Sequence, residues 1–268
     1  MSIVTGSSTR RPVVHPASAL GGRNIVTVAS GKGGVGKTWF AITLAHALAR
    51  LGRRVILFDG DLGLANVDIQ LGLMPQRDLG GVLAGRASLA QAALPFAAGG
   101  FDIAAGKSGS GALATVDPTR LAALRDNLLA LAKRYDHVVL DLGAGLDNAV
   151  RTLADNAGPK LVLVTAEPTS LTDAYAFIKV TRNRLPDSDL RVVVNLAASR
   201  PEGEKTYAKL VKACRGFLNF APPLAGTVRL DTRVPDAIRR QMPLLSRHPS
   251  SPAAADVEAL ARKLEAPT

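Results

Sequence analysis

The octapeptide Gly31-Lys32-Gly33-Gly34-Val35-Gly36-Lys37-Thr38 lies near the start of the chain. It matches the phosphate-binding loop pattern G-x-x-x-x-G-K-S/T at every fixed position. The run before it, Ile25–Ser30, is apolar and β-branched, which predicts a buried parallel strand. Residues 38–51 are rich in alanine and leucine, which predicts a helix. A strand, a glycine loop and a helix in this order predict an α/β fold that binds a polyphosphate.

The residue types of this loop fit a nucleotide and a magnesium ion. Glycines free the backbone to turn its N–H groups toward phosphate oxygens, and the following helix adds a partial positive charge at its N-terminus. We expect Lys37 to reach the β- and γ-phosphates and the hydroxyl of Thr38 to bind Mg²⁺. The expected backbone contacts to the nucleotide come from Gly31, Gly33, Gly34, Val35 and Gly36.

A second pattern overlaps this loop. Gly31, Gly33 and Gly36 also satisfy the dinucleotide-binding fingerprint G-x-G-x-x-G, and Asp59 follows about one βαβ unit later. That interpretation places a lysine between the first two glycines and leaves the Lys-Thr pair at the end of the loop unexplained. We therefore favour a phosphate loop over a dinucleotide site.

Strand-like and helix-like segments alternate along the rest of the chain and predict a doubly wound, mostly parallel sheet with helices on both faces. Apolar runs predict strands at residues 55–58, 101–105, 137–141, 161–165 and 190–195. Helices are expected over residues 79–95 and, from the N-cap Asp117, to about residue 134. Residues 1–24 lack periodicity and are expected to be a disordered tail, so residues 25–268 form a single domain with a C-terminal helix.

Polar side chains stand at the carboxyl ends of several predicted strands. Asp59 and Asp61 follow the second strand, Asp141 ends another, and Asn195 ends a third. In an open parallel sheet these ends meet at the edge that also carries the phosphate loop. We expect Asp59 to support the magnesium shell, Asp141 to hold the ion through a water, and Asp61 to position an attacking water. Asn195 is expected to form a hydrogen bond with the edge of a nucleotide base. For each of these four residues the alternative is that the side chain only caps a turn.

Composition limits the functions that the chain can have. Its single cysteine, Cys214, excludes an internal disulfide and fits a reducing cytoplasm. It also argues strongly against a cysteine-ligated iron–sulfur cluster, which needs several cysteines. No apolar run approaches the roughly 20 residues of a membrane span. The net charge of +11 indicates either attraction to nucleic acid or an anionic membrane, or basic faces that are simply solvated. The basic residues of the last third form no compact run with interleaved aromatic residues, which favours solvated faces.

Several segments carry a family resemblance. The loop GKGGVGKT resembles the deviant phosphate loop of the MinD/ParA ATPases. Within that family, residues 59–73 are similar to the switch I region of the FlhG/FleN regulators of flagellar number and position, and residues 141–150 are similar to their switch II region. Residues 167–179 resemble their E-P-T segment, and residues 192–195 resemble their adenine-side strand.

The resemblance implies a slow, partner-stimulated and magnesium-dependent ATPase. It implies a homodimer that holds two ATP molecules between its subunits, in which Lys32 contacts the partner's nucleotide and Asp61 orients the water. Lys32, Lys37 and Asp61 are then the catalytic residues. The implied partners are a flagellar SRP-type GTPase or a basal-body or regulatory protein, and the implied location is cytoplasmic, with contact at the membrane or the cell pole.

The chain departs from the family pattern at three places. Residues 1–24 contain no glutamine, which the family's activator segment has. The stripe of apolar residues over 256–265 is narrow and lacks an aromatic anchor, so this helix is expected to pack on the domain and not in a bilayer. Residues 228–231 read V-R-L-D where relatives have I-P-Y-D. The competing functions are a ParA-like partitioning ATPase that binds DNA nonspecifically and an adaptor that binds nucleotide without hydrolysis.

Overall fold

The structure is a computed structural model that describes residues 20–106 and 116–266, along which strands and helices alternate. The strands are β1 (Ile25–Ser30), β2 (Val55–Gly60), β3 (Ala93–Phe96), β4 (Phe101–Ala104), β5 (His137–Ala144), β6 (Lys160–Val164), β7 (Leu190–Ala197) and β8 (Leu224–Arg229). The helices are α1 (Lys37–Arg50), α2 (Val67–Leu71), α3 (Leu79–Leu83), α4 (Leu89–Ala92), α5 (Pro118–Ala132), α6 (Asn148–Leu153), α7 (Pro168–Arg184), α8 (Arg200–Leu218), α9 (Arg233–Arg239), α10 (Leu244–Arg247) and α11 (Pro252–Glu265).

Within these residues the strands form one sheet in the order β3-β4-β2-β5-β1-β6-β7-β8. Neighbouring strands are parallel except β3 and β4, which are antiparallel. Val26 and Val28 of β1 face the core layer that contains α1 and α11, whereas Ile25 and Ala29 face the layer that contains α5 and α7. Because helices cover both faces, the central strands are apolar on both faces. The predicted doubly wound, mostly parallel sheet is confirmed.

The predicted helix over residues 79–95 is wrong. This segment contains two short helices, α3 and α4, and then the antiparallel edge strand β3. Gly85 has a φ of +72° and ends the first helix, and Ser88 caps the second through a capping box with Gln91. Pro95 lies in β3, at the edge of the sheet, where a strand tolerates proline. The Ala/Leu-rich composition favoured a helix, but these local signals divide the segment.

The ends of the described chain are held against the sheet. The predicted tail falls largely outside the described residues, as does most of the Gly/Ser-rich segment after β4. The side chain of Asn24 donates to the carbonyl oxygens of Ala132 (2.8 Å) and Tyr135 (3.0 Å), so it fixes the entry to β1. At the other end, α11 packs on α1 and β8 with Val257 and Leu260 buried, as the sequence predicted. No helix among the described residues is long and apolar enough to cross a membrane.

Candidate functional site

The loop between β1 and α1, residues 31–36, is here called the P-loop. Gly34 and Gly36 have φ values of +76° and +87°, which L-residues with side chains rarely adopt. A Cβ atom on Gly33 or Gly34 would have no neighbour within 4 Å, so the backbone there borders open space. A Cβ atom on Gly31 would overlap the carbonyl of Asp173 on α7. The P-loop therefore packs tightly on its outer side and leaves its inner side free for a ligand.

The free side of the P-loop opens into a cavity of about 760 Å³. It lies at the carboxyl edge of the parallel strands, where the sequence placed the site. The cavity is lined by Gly33, Gly34, Gly36, Lys37, Thr38, Trp39, Gly60, Asp61, Leu62, Gly63, Leu64, Asn66, Gln70, Gly143, Ala144, Asp147, Ala149, Val150, Leu196, Leu230, Asp231, Val234, Pro235 and Ile238.

Lys37 brings a buried cation to this cavity. Its side chain is 9% exposed, and its Nζ atom donates to the Oγ atom of Ser30 at 3.1 Å. Burial lowers the pKa of Lys37, while the carboxylates of Asp141 and Asp61 oppose this shift. The ammonium group therefore lies among the carboxylates that the sequence placed at the same edge, and it faces a space that a phosphate could enter.

Asp59 and Asp141 are buried side by side, because they are register partners on β2 and β5. Asp59 accepts hydrogen bonds from the backbone N–H groups of Asp61 (3.3 Å), Asn66 (3.3 Å) and Val67 (3.2 Å). Burial, together with the charge of the neighbouring Asp141, raises the pKa of Asp59 to about 8. This carboxyl group also holds the start of the β2–α2 loop in place.

Asp141 carries an unpaired polar atom in this buried position. Its Oδ1 atom has no hydrogen-bond partner among the described residues. Burial raises the pKa of Asp141 to about 7, although the hydroxyl of Thr38 and the ammonium of Lys37 act in the opposite direction. A buried carboxylate oxygen without a partner, next to a threonine hydroxyl, fits a hard cation such as Mg²⁺. No three His, Cys, Asp or Glu side chains in the described chain form a metal-binding group, so other ligands would complete the shell.

Asp61 lies where the β2–α2 loop approaches the end of β5. Its Oδ1 atom accepts a hydrogen bond from the backbone N–H of Leu64 at 2.9 Å. A Cβ atom on Gly143 would lie 3.3 Å from the same oxygen, so only glycine fits there without displacement. The carboxylate lines the cavity beside Lys37, which is the arrangement that the predicted water-positioning role requires.

Lys32 lies outside the cavity. Its ammonium forms an ion pair with Glu167, at the N-cap of α7, and donates to the Oγ1 atom of Thr169 at 2.8 Å. The side chain of Lys32 is 34% exposed. The structure thus brings Lys37 and Asp61 together and holds Lys32 on the outer surface of the same loop, against the E-P-T segment.

Asn195 connects β7 to the P-loop. Its Nδ2 atom donates to the carbonyl oxygen of Val35 at 2.7 Å, and the side chain is fully buried. The Oδ1 atom of Asn195 has no partner among the described residues. The contact with Val35 is a positioning role that the sequence did not predict. The predicted contact with the edge of a base stays a prediction, because Asn195 is not among the residues that line the cavity.

One wall of the cavity was not predicted from the sequence. Leu196 follows Asn195 with a φ of +56°, an uncommon conformation for a residue other than glycine. Leu230 is 61% exposed although it is apolar. Together with Val234, Pro235 and Ile238, these two leucines line one end of the cavity. In the sequence, residues 228–231 stood out only as a departure from a family pattern. The apolar residues at the start of α9 were the signal that could have indicated this wall.

Comparisons with known proteins identify relatives of this chain. The family model of the CobQ/CobB/MinD/ParA nucleotide binding domain matches residues 26–244. The chain is 39% identical over 241 residues to the antiactivator FleN of Pseudomonas aeruginosa, covering 90% of this chain and 86% of FleN. It is 29% identical over 195 residues to the flagellum site-determining protein YlxH of Helicobacter pylori, covering 73% of this chain and 65% of YlxH.

A solved structure shares the fold. The septum site-determining protein MinD of Pyrococcus horikoshii, complexed with Mg-ADP, has a TM-score of 0.75 and 23% sequence identity to the chain, over 90% of this chain and 96% of that one. At this level of identity the likeness concerns the fold alone.

Proposed function

Because the chain belongs to the MinD/ParA family of nucleotide-binding proteins, in the branch that contains FleN, we propose that it is a magnesium-dependent ATPase whose ATP-bound form dimerises. The observation that carries the proposal is the grouping, at the carboxyl edge of the sheet, of a buried lysine, a threonine hydroxyl and three aspartates. That grouping consists of Lys37, Thr38, Asp59, Asp61 and Asp141. The Mg-ADP bound to the MinD relative supports the choice of ligand.

Each residue of this grouping has a role that its surroundings support. The N–H groups of the P-loop and the ammonium of Lys37 bind the phosphates, because they border open space and carry positive charge. Thr38 and Asp141 would hold Mg²⁺, directly or through a water. Asp59, the register partner of Asp141, would support these ligands without binding the ion. When bound, Mg²⁺ neutralises charge on the phosphate oxygens.

Asp61 orients the water that attacks the terminal phosphate. The N–H of Leu64 anchors its Oδ1 atom, and the side chain lines the cavity. Within the described residues no arginine lines the cavity, and Lys37 is the one cation that does. Slow hydrolysis by the isolated protein follows from this arrangement, since an added arginine typically accelerates such reactions by about 10³-fold or more.

The base of ATP occupies the apolar end of the cavity, between Leu196 and Leu230. Asn195 supports this site from the buried side of the P-loop, through its bond to the carbonyl oxygen of Val35.

The family membership extends the proposal to a biological role. FleN is named an antiactivator and YlxH a flagellum site-determining protein. We place this chain in the same role, as a regulator of flagellar number or placement that acts through an ATP-dependent homodimer and a flagellar partner protein. Cells that lack the protein are expected to show an altered number or position of flagella by electron microscopy.

The variant Asp61→Ala tests the ATPase activity. We expect phosphate release to fall by about 100-fold, because the water loses its positioning group, while binding of ATP stays within about threefold. Phosphate release and equilibrium binding of a fluorescent ATP analogue measure the two effects. Asp126→Ala is the matched control, since Asp126 lies on the exposed face of α5 and pairs with Arg125. Full hydrolysis by Asp61→Ala would contradict the assigned role, and failure of the wild type to bind ATP would contradict the proposed function.

A further inference from the structure

Trp39 is the single tryptophan of the chain and directly follows Thr38 in the first turn of α1. Its side chain is 7% exposed, and it lines the cavity described above. The indole also lies tightly against the P-loop, because a Cβ atom on Gly36 would overlap its Nε1 atom. The same Cβ atom would lie 2.7 Å from the Nδ2 atom of Asn195. The indole edge, the P-loop and Asn195 therefore pack as one unit.

The other side of the indole faces α2 and α9. Trp39 lines a second, smaller cavity together with Gln70 of α2 and with Val234 and Ile238 of α9. Gln70, Val234 and Ile238 also line the large cavity, so Trp39 stands between the two spaces. The indole thereby sets the distance between the P-loop and the helix that carries much of the apolar wall.

The large cavity has two chemically different ends. One end holds Lys37 and Asp61, which suit phosphates and a metal ion. The other end is lined by apolar side chains, and its Asp231 is committed to the backbone N–H groups of Arg233 (2.9 Å) and Ala253 (3.2 Å). Trp39 directly follows Thr38 and shares both cavities with Val234 and Ile238 of the apolar wall, which places it between the charged end and the apolar end. An aromatic ring at this point suits a sugar or base and offers nothing to a phosphate.

We propose that Trp39 determines the specificity of the site for a nucleoside, by forming the wall on which the ribose and base of ATP pack and by holding α9 in position. This inference rests on the proposed function, that the cavity binds ATP. Different parts of the site then bind different parts of ATP. Trp39 contributes affinity for the nucleoside, and the P-loop contributes affinity for the triphosphate.

The experiment compares two probes, Mg-ATP and magnesium with inorganic tripolyphosphate, on the full chain. Isothermal titration calorimetry is expected to show that Trp39→Ala weakens ATP binding by about tenfold and changes tripolyphosphate binding by less than about twofold. Trp39→Phe keeps a ring and is expected to lose less than Trp39→Ala. Phe217→Ala is the matched control, because that ring is 81% exposed on α8 and should leave both affinities unchanged.

Fluorescence gives a second readout that needs no substitution. Since Trp39 is the only tryptophan in the sequence, the emission of the wild type should change with ATP and with ADP and should not change with tripolyphosphate. If Trp39→Ala does not fold by circular dichroism, this emission and the Trp39→Phe affinities decide the question.

Three results would overturn the inference: equal weakening of both probes by Trp39→Ala, no weakening of either, or wild-type emission that is the same with and without ATP. In each case the wild type still binds ATP, and the proposed function stands. A wild type that binds neither probe would instead overturn the proposed function.

Discussion

Lys32 in the P-loop and Lys37 directly after it have opposite surroundings. Lys37 is buried beside Asp141 and Asp61, whereas Lys32 lies on the surface with Glu167 and Thr169. If Lys32 reaches the nucleotide of a second subunit, as the family resemblance implies, it must first leave Glu167. The ion pair within one subunit therefore competes with dimerisation.

The variants Lys32→Ala and Glu167→Gln test this competition in an Asp61→Ala background, which keeps ATP intact. Lys32→Ala is expected to stay monomeric with ATP while it retains most of its nucleotide binding. Glu167→Gln is expected to dimerise about threefold to tenfold more tightly, because an exposed ion pair contributes up to about 1 kcal/mol in each subunit. Sedimentation velocity at several protein concentrations measures both effects. Dimerisation of Lys32→Ala as strong as that of the parent would contradict the role of Lys32.

Lys160 is a second buried lysine, at the start of β6 and at the opposite edge of the sheet from the cavity. Its Nζ atom donates to the carbonyl oxygens of Asn156 (2.8 Å) and Gly158 (3.2 Å). Burial lowers the pKa of Lys160 to about 8 from 10.5, against the attraction of Asp155 and Asp189. Because the folded protein then binds fewer protons than the unfolded chain between these two pH values, its stability should rise with pH in that window.

The comparison of the wild type with Lys160→Met isolates this effect. The free energy of unfolding of the wild type, relative to the variant, is expected to rise by about 1 kcal/mol per pH unit above pH 8. Urea unfolding of both proteins at several pH values measures the difference, and groups that titrate in both proteins cancel. A difference that does not change with pH would show that the pKa of Lys160 is the same in the folded and unfolded states.

Individual residues also show how far the sequence could predict the site. Lys37 and Thr38 are fixed by the loop pattern, and Asp59, Asp61 and Asp141 follow from the ends of apolar strands. The partners of Lys32 and the wall around Leu196 and Leu230 depend on segments distant in sequence. Such contacts have no local signal, because they arise when the sheet brings separate loops to one edge.

Among the strands and helices, the central ones were predicted best. Buried parallel strands are continuous apolar runs, and helices such as α5 begin with an N-cap and a proline that the sequence shows directly. The edge strands β3 and β8 were not predicted. An edge strand has fewer buried residues, so its pattern is weak, and in β3 the alanine and leucine content favours a helix.

Helix α11 is held by a buried carboxylate as well as by apolar packing. The Oδ2 atom of Asp256 accepts from the backbone N–H (3.1 Å) and the Nε atom (2.7 Å) of Arg229, and Arg200 reaches its Oδ1 atom at 3.3 Å. These bonds tie α11 to the ends of β8 and α8. Since the apolar residues of α11 lie in the core, a membrane surface could not reach them without removing the helix from the domain.

The variant Asp256→Ala is expected to lower the free energy of unfolding by about 2 to 3 kcal/mol, because it leaves Arg229 without its partner. Glu258→Ala on the same helix is the matched control. Glu258 pairs with Arg50 at the surface, so its loss should cost less than about 1 kcal/mol. Urea unfolding measures both variants. Equal effects of the two substitutions would show that Asp256 contributes no more than a surface ion pair.

The entire chain carries a net charge of +11, which is the observation that favours DNA binding as a second function. Exposed lysines do occur along α8, at Lys205, Lys209 and Lys212, but several other basic residues are paired with carboxylates. Charge that is scattered in this way attracts DNA at low salt and loses that attraction as counterions compete.

We therefore expect the ATP-bound Asp61→Ala protein not to retard random duplex DNA at about 0.15 M salt. An electrophoretic mobility assay over a series of salt concentrations measures this, with the ADP-bound protein as the comparison. Retardation at that salt concentration that requires ATP and falls steeply with added salt would support the ParA-like alternative.

The position of β1 in the sheet has a consequence for synthesis on the ribosome. β1 comes first among the described strands, yet both of its neighbours, β5 and β6, come from the second half of the chain. The P-loop that follows β1 can therefore reach its final shape only after β6 has left the exit tunnel. Until then the nascent chain cannot hold ATP, and its apolar first strand is available to chaperones.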